Sequence, residues 1–238
     1  MKIGLAGDSS PRSVFPAVLG RRPHPRLAQP TPPKDTYIGE EAQRRRGILK
    51  IAYPVRRGTV VSFDDMEKVW SYALYDALKV APEEHPVLMS EQPFAPKGNK
   101  EKTMQLIFET FNVPAFYASL GSVLAMYSYG RGNAMVLDIG DGLCTAINVV
   151  DGYSCPSAVA RWDFGGSDLT QYLARLLGSR GYSLHTAADL EVVREMKEKM
   201  CYVSMDFLRD LRQAQGKTYK LPDGHSIQLG PELFCSSE

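Results

Sequence analysis

The order of hydrophobic and polar positions along the chain predicts helices that alternate with short strands. Apolar residues repeat at helical spacing over about residues 65–78, with Ser62 or Asp64 as the N-cap. Further helices are predicted over residues 100–111 with Asn99 as the cap, and over 121–127, 168–177 and about 187–203. Short apolar runs predict strands at residues 2–8, 49–53, 59–61, 86–90, 115–119, 217–221 and 226–229. Alternating strands and helices without an internal repeat indicate α/β architecture.

The stretch that says most about chemistry lies between residues 134 and 150. An apolar run at 134–137 predicts a buried strand that ends on Asp138, and 145–150 predicts a second strand. Gly140 and Gly142 permit a turn with positive φ, in which backbone N–H groups can surround an oxyanion. Asp138 can hold a hydrated Mg²⁺ through water. The same residues also suit an ordinary β-hairpin turn, so the pattern alone leaves both interpretations open.

Composition narrows the class of protein. At 238 residues, with 44% hydrophobic and 23% charged residues, the chain is typical of a soluble folded protein. We expect no signal peptide and no membrane span, because no apolar run approaches the ~20 residues that a span requires. The four cysteines are scattered, without a C-x-x-C pair, which favours free thiols in a reducing compartment over a metal site.

The net charge of +1 hides an asymmetry between the two ends of the chain. Residues 1–60 carry 12 lysines and arginines against four acidic residues, whereas the remainder is net negative. Such a gradient suits an acidic partner, nucleic acid, head-to-tail association of copies, or a solvated basic face. Aromatic residues are not interleaved with the basic ones, which argues against nucleic acid.

A series of ordered motifs resembles the actin and actin-related protein family. The motifs are Val14-Phe-Pro16, Tyr37-Ile-Gly39, Arg46-Gly-Ile-Leu49, Asp64-Asp-Met-Glu-Lys68, Ala81-Pro-Glu-Glu-His-Pro86, Phe108-Glu-Thr-Phe-Asn-Val-Pro-Ala115, Asp138-x-Gly-Asp-Gly142, Arg180-Gly-Tyr-Ser183, Lys197-Glu-Lys199 and Cys201-Tyr-Val203. The similarity is collinear from residue 2 to about residue 235. It is broken mainly at residues 21–34, a basic segment with five prolines that predicts an extended surface loop.

This resemblance implies a two-lobed α/β ATPase fold with a ribonuclease H-like core and ATP or ADP with Mg²⁺ or Ca²⁺ in the cleft between lobes. The first lobe is expected at residues 1–128, with a small outer subdomain at about 17–54, and the second at 129–238. The family's first strand and phosphate hairpin would precede Lys2, and its C-terminal part would follow about residue 235. We therefore expect an incomplete member of the family.

The resemblance also implies the residues that bind the nucleotide. The stretch Asp138-Ile-Gly140-Asp141-Gly142 matches the second phosphate hairpin, with Asp138 holding the metal through water. Lys2 matches a phosphate-contacting lysine, which here is expected at a frayed terminus.

Arg194, Lys197 and Glu198 match positions around ribose and adenine, and their spacing places all three on one helical face. A solvated face laced by Arg194–Glu198 and Glu195–Lys199 pairs fits the same spacing. Arg161 and Asp168 are expected to orient loops and cap helices.

Three departures from the family bear on catalysis. Gly121 stands where the family has a water-orienting glutamine, Ser157 where it has a histidine of the proton network, and Arg57 at the position of its modified histidine. Phosphoryl transfer depends mainly on positioning and electrostatics, so these departures predict weak or absent hydrolysis.

Two hypotheses about function follow. The first is an actin-like cytoskeletal protein of the cytoplasm that binds ATP–Mg²⁺ and associates with actin, other actin-related subunits and actin-binding proteins. The alternative is a non-catalytic actin-related scaffold, or a truncated fragment, that acts only through protein–protein contacts. The proline-rich segment at 21–34 further predicts altered or absent self-polymerisation.

Overall fold

The computed structural model describes residues 1–22, 36–213, 216–221 and 224–237. The α-helices in these ranges are α1 (Glu40–Arg44), α2 (Phe63–Ser71), α3 (Lys97–Glu109), α4 (Gly121–Ser128), α5 (Gly166–Ser179), α6 (Ala187–Met200), α7 (Phe207–Gln213) and α8 (Glu232–Cys235). A π-helical segment, Tyr72–Leu78, continues α2, and a 3₁₀ turn spans Pro82–Glu84. No helix within these ranges has the length and apolarity needed to cross a membrane.

The strands form several small sheets. They are β1 (Lys2–Ile3), β2 (Ser13–Val14), β3 (Leu19–Arg21), β4 (Thr36–Ile38), β5 (Lys50–Ala52), β6 (Val55–Arg56), β7 (Thr59–Val60), β8 (Val87–Glu91), β9 (Phe116–Leu120), β10 (Ala134–Ile139), β11 (Cys144–Val150), β12 (Tyr153–Trp162), β13 (Lys217–Lys220) and β14 (Ser226–Leu229). β8 and β9 are parallel, whereas the other pairs are antiparallel. The order β4–β3–β5 gives one three-stranded sheet and β10–β11–β12 another.

The chain divides into two compact units by its contacts. Unit 1 comprises residues 1–139 and 143–163, and unit 2 comprises residues 140–142 and 164–238. The turn between β10 and β11 therefore groups with unit 2, although both strands belong to unit 1. The predicted lobes at 1–128 and 129–238 are a separate assignment and stay a prediction.

The main core of unit 1 forms where α2 and α3 pack together. Met66, Val69 and Trp70 of α2 are buried with Ile107 of α3, and the ring of Phe15 lies in the same cluster. Ser62 Oγ accepts a hydrogen bond from Asp65 N at 3.4 Å, so the predicted serine cap is present. Burying such side chains contributes about 1.5–3 kcal/mol each, which holds the helices together.

A second cluster in unit 1 joins α4 to one face of the β10–β11–β12 sheet. Val123 and Met126 of α4 are buried against Ile147 and Val149 of β11, and Val136 of β10 packs at the margin. These residues alternate along the strands, as a sheet with one covered face requires.

The core of unit 2 is built by α5 and α6 against the β13–β14 hairpin and α8. Leu173, Leu177, Val193 and Met196 are buried in it with Phe234. The amphipathic periodicity of both helices predicted this packing. The predicted helix at 187–203 ends earlier, at Met200, because Cys201 adopts an extended conformation.

Two sequence predictions about local structure are wrong. Asn99 does not cap α3, which begins at Lys97 after Pro96. Its side-chain amide instead donates to the carbonyl of Val60 at 2.9 Å, tying the helix to β7. The proline-rich loop does not begin at Arg21, which lies in β3. Most of that segment, residues 23–34, is outside the described residues.

Candidate functional site

The hairpin between β10 and β11 has strands where they were predicted, but β10 runs to Ile139 and is not the buried strand expected, since none of its residues is buried. The turn geometry also differs from the prediction. Ile139 pairs with Cys144, which leaves a four-residue loop at 140–143. Neither Gly140 nor Gly142 has positive φ. A loop of four residues reverses the chain without a left-handed residue, so the prediction of two left-handed glycines is wrong.

The turn is held by the beginning of α5. Gly166 N donates to Gly140 O at 3.1 Å and Ser167 N donates to Asp141 O at 2.7 Å. The first N–H groups of a helix have no partner within the helix, and the turn carbonyls satisfy two of them. The N–H groups of Gly166 and Ser167 are thus committed to the turn.

Gly165 allows this close approach. A Cβ built on Gly165 would lie 2.6 Å from both Gly140 O and Asp141 O. Its φ of −172° is extended backbone that any residue adopts, so lack of space is the reason for glycine here. The Gly165-Gly166 pair was missed from sequence, although two adjacent glycines after a strand are a signal of close packing.

Asp168 caps α5, as expected. Its Oδ2 accepts from Gly165 N at 2.9 Å, and Asp168 N donates to Gly165 O at 3.0 Å. A carboxylate in the first turn also stabilises the positive end of the helix dipole. This cap holds Gly165 in place, and the turn packs against Gly165.

Lys197 of α6 also contacts the start of α5. Its Nζ donates to Gly166 O at 2.7 Å. A Cβ built on Gly166 would lie 3.2 Å from Lys197 Nζ and 3.3 Å from Asp141 Oδ1. Two of the predicted site residues, Asp141 and Lys197, therefore both lie close to Gly166, where an added Cβ would be in tight contact with their side chains.

The other two predicted residues of α6 have different surroundings. Arg194 pairs with the buried carboxylate of Glu191, whereas Glu198 is exposed. Glu195 and Lys199 form the predicted surface pair at 2.6 Å. The expected Arg194–Glu198 pair is replaced by an i, i+3 pair that neutralises a buried acid.

The predicted site residues of unit 1 lie on strands. Lys2 pairs with Val14 in the β1–β2 ladder, and Met1 exchanges backbone hydrogen bonds with Phe15, so this end of the chain is not frayed as expected. Burial and then the charge of Lys2 lower the pKa of the Met1 amino group. Asp138 is exposed near the end of β10.

Arg161 orients loops, as expected. Its guanidinium donates to Pro93 O at 2.8 Å and to Arg57 O at 3.1 Å, and it pairs with Asp163 at 3.0 Å. Arg57 has a φ of +46° and Phe94 a φ of +57°. One side chain thus ties down two loop segments with left-handed residues, at a cost of order 1 kcal/mol or more for each such residue.

The two positions assigned to catalysis do not carry the side chains that the family has there, a glutamine and a histidine. Gly121 begins α4, and a Cβ built on it would meet only Ser90 Cβ, at 4.0 Å. Ser157 is exposed on β12 with its Oγ 3.0 Å from Cys155 Sγ. Hydrogen bonds from Ser157, led by its side chain, lower the pKa of the exposed Cys155 thiol.

The described residues contain no group of three or more His, Cys, Asp or Glu side chains able to hold a metal. Asp138 therefore does not belong to a cluster of three or more such side chains among the described residues. Mg²⁺ commonly takes one or two carboxylates, keeps several waters and shares the phosphates of its ligand. The donors present therefore fit a metal that arrives with a phosphate ligand.

Comparison with known proteins gives two findings. A family model described as Actin matches residues 1–238. A relative from Schizosaccharomyces pombe, centractin, is 43% identical over 244 residues, which cover 100% of this chain and 64% of the relative. The chain thus spans less than two thirds of the length of that relative.

Proposed function

Since the chain belongs to the actin family, we propose that it binds ATP together with Mg²⁺ and hydrolyses it weakly or not at all. The chain carries part of the α/β actin-like fold, as the motifs predicted. The family generally binds nucleotide and a divalent cation; the proposal assigns that binding to this chain and to named residues.

The observation that carries the proposal is the convergence of Asp141, Gly166 and Lys197. Lys197 Nζ lies 2.7 Å from Gly166 O, and a Cβ added to Gly166 would lie 3.2 Å from Lys197 Nζ and 3.3 Å from Asp141 Oδ1. An ammonium has three donor hydrogens and only one is needed for Gly166. A lysine fixed by a backbone carbonyl is placed in advance for an anionic or hydroxyl-bearing ligand.

The assignment of roles follows the residue types. Lys197 and Glu198 contact ribose and adenine, with Arg194 beside them on α6. Gly140, Asp141 and Gly142 line the phosphates, and Lys2 adds a positive charge. Asp138 holds hydrated Mg²⁺, which when bound neutralises phosphate charge. The turn is kept rigid by its two hydrogen bonds from α5.

Weak hydrolysis follows from Gly121. It has no side chain, and the space beside it holds no polar atom within 4 Å of an added Cβ. Loss of a group that orients the attacking water costs several kcal/mol of transition-state stabilisation, roughly the 2.7–4 kcal/mol seen when one preorganised donor is removed.

The experiment is a titration of the purified chain with fluorescent ATP, with and without Mg²⁺. We expect saturable binding that Mg²⁺ strengthens. Lys197→Met should weaken binding about tenfold, the equivalent of one ~1.4 kcal/mol charge-assisted contact. Lys199→Met is the matched control, since Lys199 lies on the same helix and pairs only locally with Glu195.

Three outcomes would count against the proposal. Absence of saturable binding would overturn nucleotide binding altogether. Equal losses in the two lysine variants would remove the assigned role of Lys197. Phosphate release at a rate comparable to that of conventional actin would refute weak hydrolysis.

The remaining parts of the proposal concern the protein's localisation, its partners and the bounds of its two lobes. We place the protein in the cytoplasm with the cytoskeleton, with actin, actin-related subunits and actin-binding proteins as partners, and with lobes at 1–128 and 129–238. A non-catalytic scaffold is the second candidate, favoured by the missing side chain at Gly121 and the exposed apolar strand faces of unit 1. Co-sedimentation with actin filaments in the absence of ATP binding would select the scaffold.

A further inference from the structure

A pocket lies within unit 1 between β4 and the helix α2 with its π-helical continuation. Its volume is about 280 Å³. Two of its lining residues, Lys68 and Asp76, are exposed, so the pocket opens to the surface. Pockets for whole small molecules usually measure about 300–1,000 Å³. This pocket is therefore of a size to receive one long side chain.

The helical wall of the pocket is a single stripe of side chains. Glu67, Lys68 and Ser71 lie within one turn of α2, and Tyr72 begins the π-helical segment. The hydrogen bonds of such a segment run from residue i to residue i+5, so side chains four or five residues apart share one side. Asp76 follows Tyr72 by four residues and Ser71 by five, and it lines the pocket with them. π-helical turns are frequent at functional sites.

The polar groups of this wall are not used by the described part of the chain. Within it, Glu67, Lys68 and Asp76 form no ion pair, and the hydroxyl of Ser71 makes no hydrogen bond. Asp65 of the same helix, in contrast, pairs with an arginine. The pocket thus carries two negative charges against one positive charge, so it attracts a cation.

Tyr72 and Ile38 give the pocket an apolar part. The ring of Tyr72 is held by Phe15, with the centroids 5.1 Å apart and the planes at 89°. An aromatic face attracts a cation placed over it, most often the guanidinium of arginine. A guanidinium is also planar and binds carboxylates through two N–H groups, whereas its aliphatic stem can lie against a side chain such as Ile38.

We propose that this pocket binds an arginine side chain of a partner polypeptide. Glu67 and Asp76 accept hydrogen bonds from the guanidinium, which stacks on Tyr72, and Ile38 contacts its stem. Lys68 lies exposed beside the pocket and selects the residue next to the arginine. An acidic neighbour is attracted by Lys68 and a basic neighbour is repelled, so the partner carries arginine beside an acidic residue.

The test titrates the isotope-labelled chain with short blocked peptides and follows the backbone amides by NMR. A peptide that contains Arg-Glu should give saturable shifts centred on Ser71, Tyr72 and Asp76. Replacing its arginine by citrulline, a neutral isostere, should weaken binding at least about tenfold, because the charge-assisted hydrogen bonds are lost. Glu67→Gln combined with Asp76→Asn should weaken binding of the Arg-Glu peptide by a similar factor. Neither side chain is buried, so this variant should keep the spectrum of the parent.

Glu83→Gln is the matched control, because it removes the same charge from the exposed 3₁₀ turn of unit 1, outside the pocket. It should leave the affinity unchanged. Lys68→Glu should reverse the preference for the Arg-Glu peptide over an Arg-Lys peptide, an effect that a general loss of structure would not produce.

Four outcomes would overturn the proposal. They are the absence of saturable shifts with the Arg-Glu peptide at millimolar concentration, equal binding of the citrulline peptide, equal weakening by Glu83→Gln, and an unchanged peptide preference in Lys68→Glu. Spermidine serves as a further probe, since it is a free cation without a guanidinium. Binding of spermidine as tight as that of the Arg-Glu peptide would reveal an unselective cation site and would also overturn the assignment to arginine.

Discussion

Gly165→Ala tests whether close packing, rather than backbone conformation, makes glycine necessary at the start of α5. The added Cβ would lie 2.6 Å from Gly140 O and from Asp141 O, about 0.8 Å short of ordinary van der Waals contact. Alanine adopts the extended φ of −172° without strain. The whole penalty therefore comes from displacing the turn.

The magnitude follows from what the displacement breaks. The turn is held by hydrogen bonds of 3.1 Å from Gly166 N and 2.7 Å from Ser167 N. Overpacking costs about 1–3 kcal/mol and weakening the two bonds about 0.5–1.5 kcal/mol each. Since partial relaxation makes these terms overlap, we expect a loss of about 2–4 kcal/mol in the stability of unit 2.

Gly178→Ala is the matched control within the same helix. A Cβ built there meets only His185 Cε1, at 4.0 Å. Alanine in a helix interior is more favourable than glycine by about 0.5–1 kcal/mol, so this variant should gain stability. The two substitutions add the same methyl group and have opposite predicted signs.

The assay must report on unit 2. Both tryptophans, Trp70 and Trp162, lie in unit 1, so tryptophan fluorescence would follow the wrong part of the chain. Hydrogen exchange of α5 peptides against urea concentration gives the local free energy of opening. Equal exchange in Gly165→Ala and the parent would refute the reasoning, as would a destabilised Gly178→Ala.

Three further predictions concern unit 1. Arg161→Lys should lower the free energy of unfolding by about 1–3 kcal/mol, because lysine cannot bridge the two carbonyls in the way that the guanidinium does. Urea unfolding followed by tryptophan fluorescence measures this loss. Arg56→Lys, on the exposed end of β6, is the control and should leave the stability unchanged. Ser157→Ala should slow alkylation of Cys155 at pH 7 and leave it unchanged well above the usual thiol pKa of about 8.5, where both thiols are ionised, since losing the hydrogen bond raises the pKa and reduces the thiolate; equal rates at pH 7 would contradict this. Gly121→Gln should fold like the parent, since the site is open, and should raise phosphate release about 100-fold, the equivalent of ~2.7 kcal/mol; an unchanged rate would contradict the assignment of weak hydrolysis to this position.

Features set by local sequence were predictable. The periodic apolar positions placed α2, α5 and α6, and the apolar run at 134–137 followed by the glycine turn placed the β10–β11 hairpin. The actin-family resemblance and its α/β fold class are confirmed by the family match over residues 1–238. These signals are contained within segments of a few turns or strands, so no distant partner was needed to interpret them.

Features set by distant partners were not predictable. Asn99 resembled a helix cap, but its amide partner, Val60 O, lies 39 residues away. The contact between Lys197 and Gly166 joins residues 31 apart. β12 was missed because Ser-Cys-Pro-Ser interrupts its apolar alternation at residues 154–157, and only the register with β11 defines it. The local sequence shows which residues could form such contacts, and the packing of the folded chain determines which of them do.

The glycines of the candidate site show how packing between distant residues changes the chemistry of that site. Gly140 and Gly142 were expected to turn backbone N–H groups toward an anion, yet neither adopts positive φ. The close packing instead falls to Gly165, and the N–H groups of Gly166 and Ser167 are used by the turn. The N–H groups of Gly166 and Ser167 are therefore not offered to a ligand at this place, whereas Lys197, anchored on Gly166 O, offers it a charged hydrogen-bond donor. For that reason Lys197 is the residue on which nucleotide binding by this chain should depend most steeply.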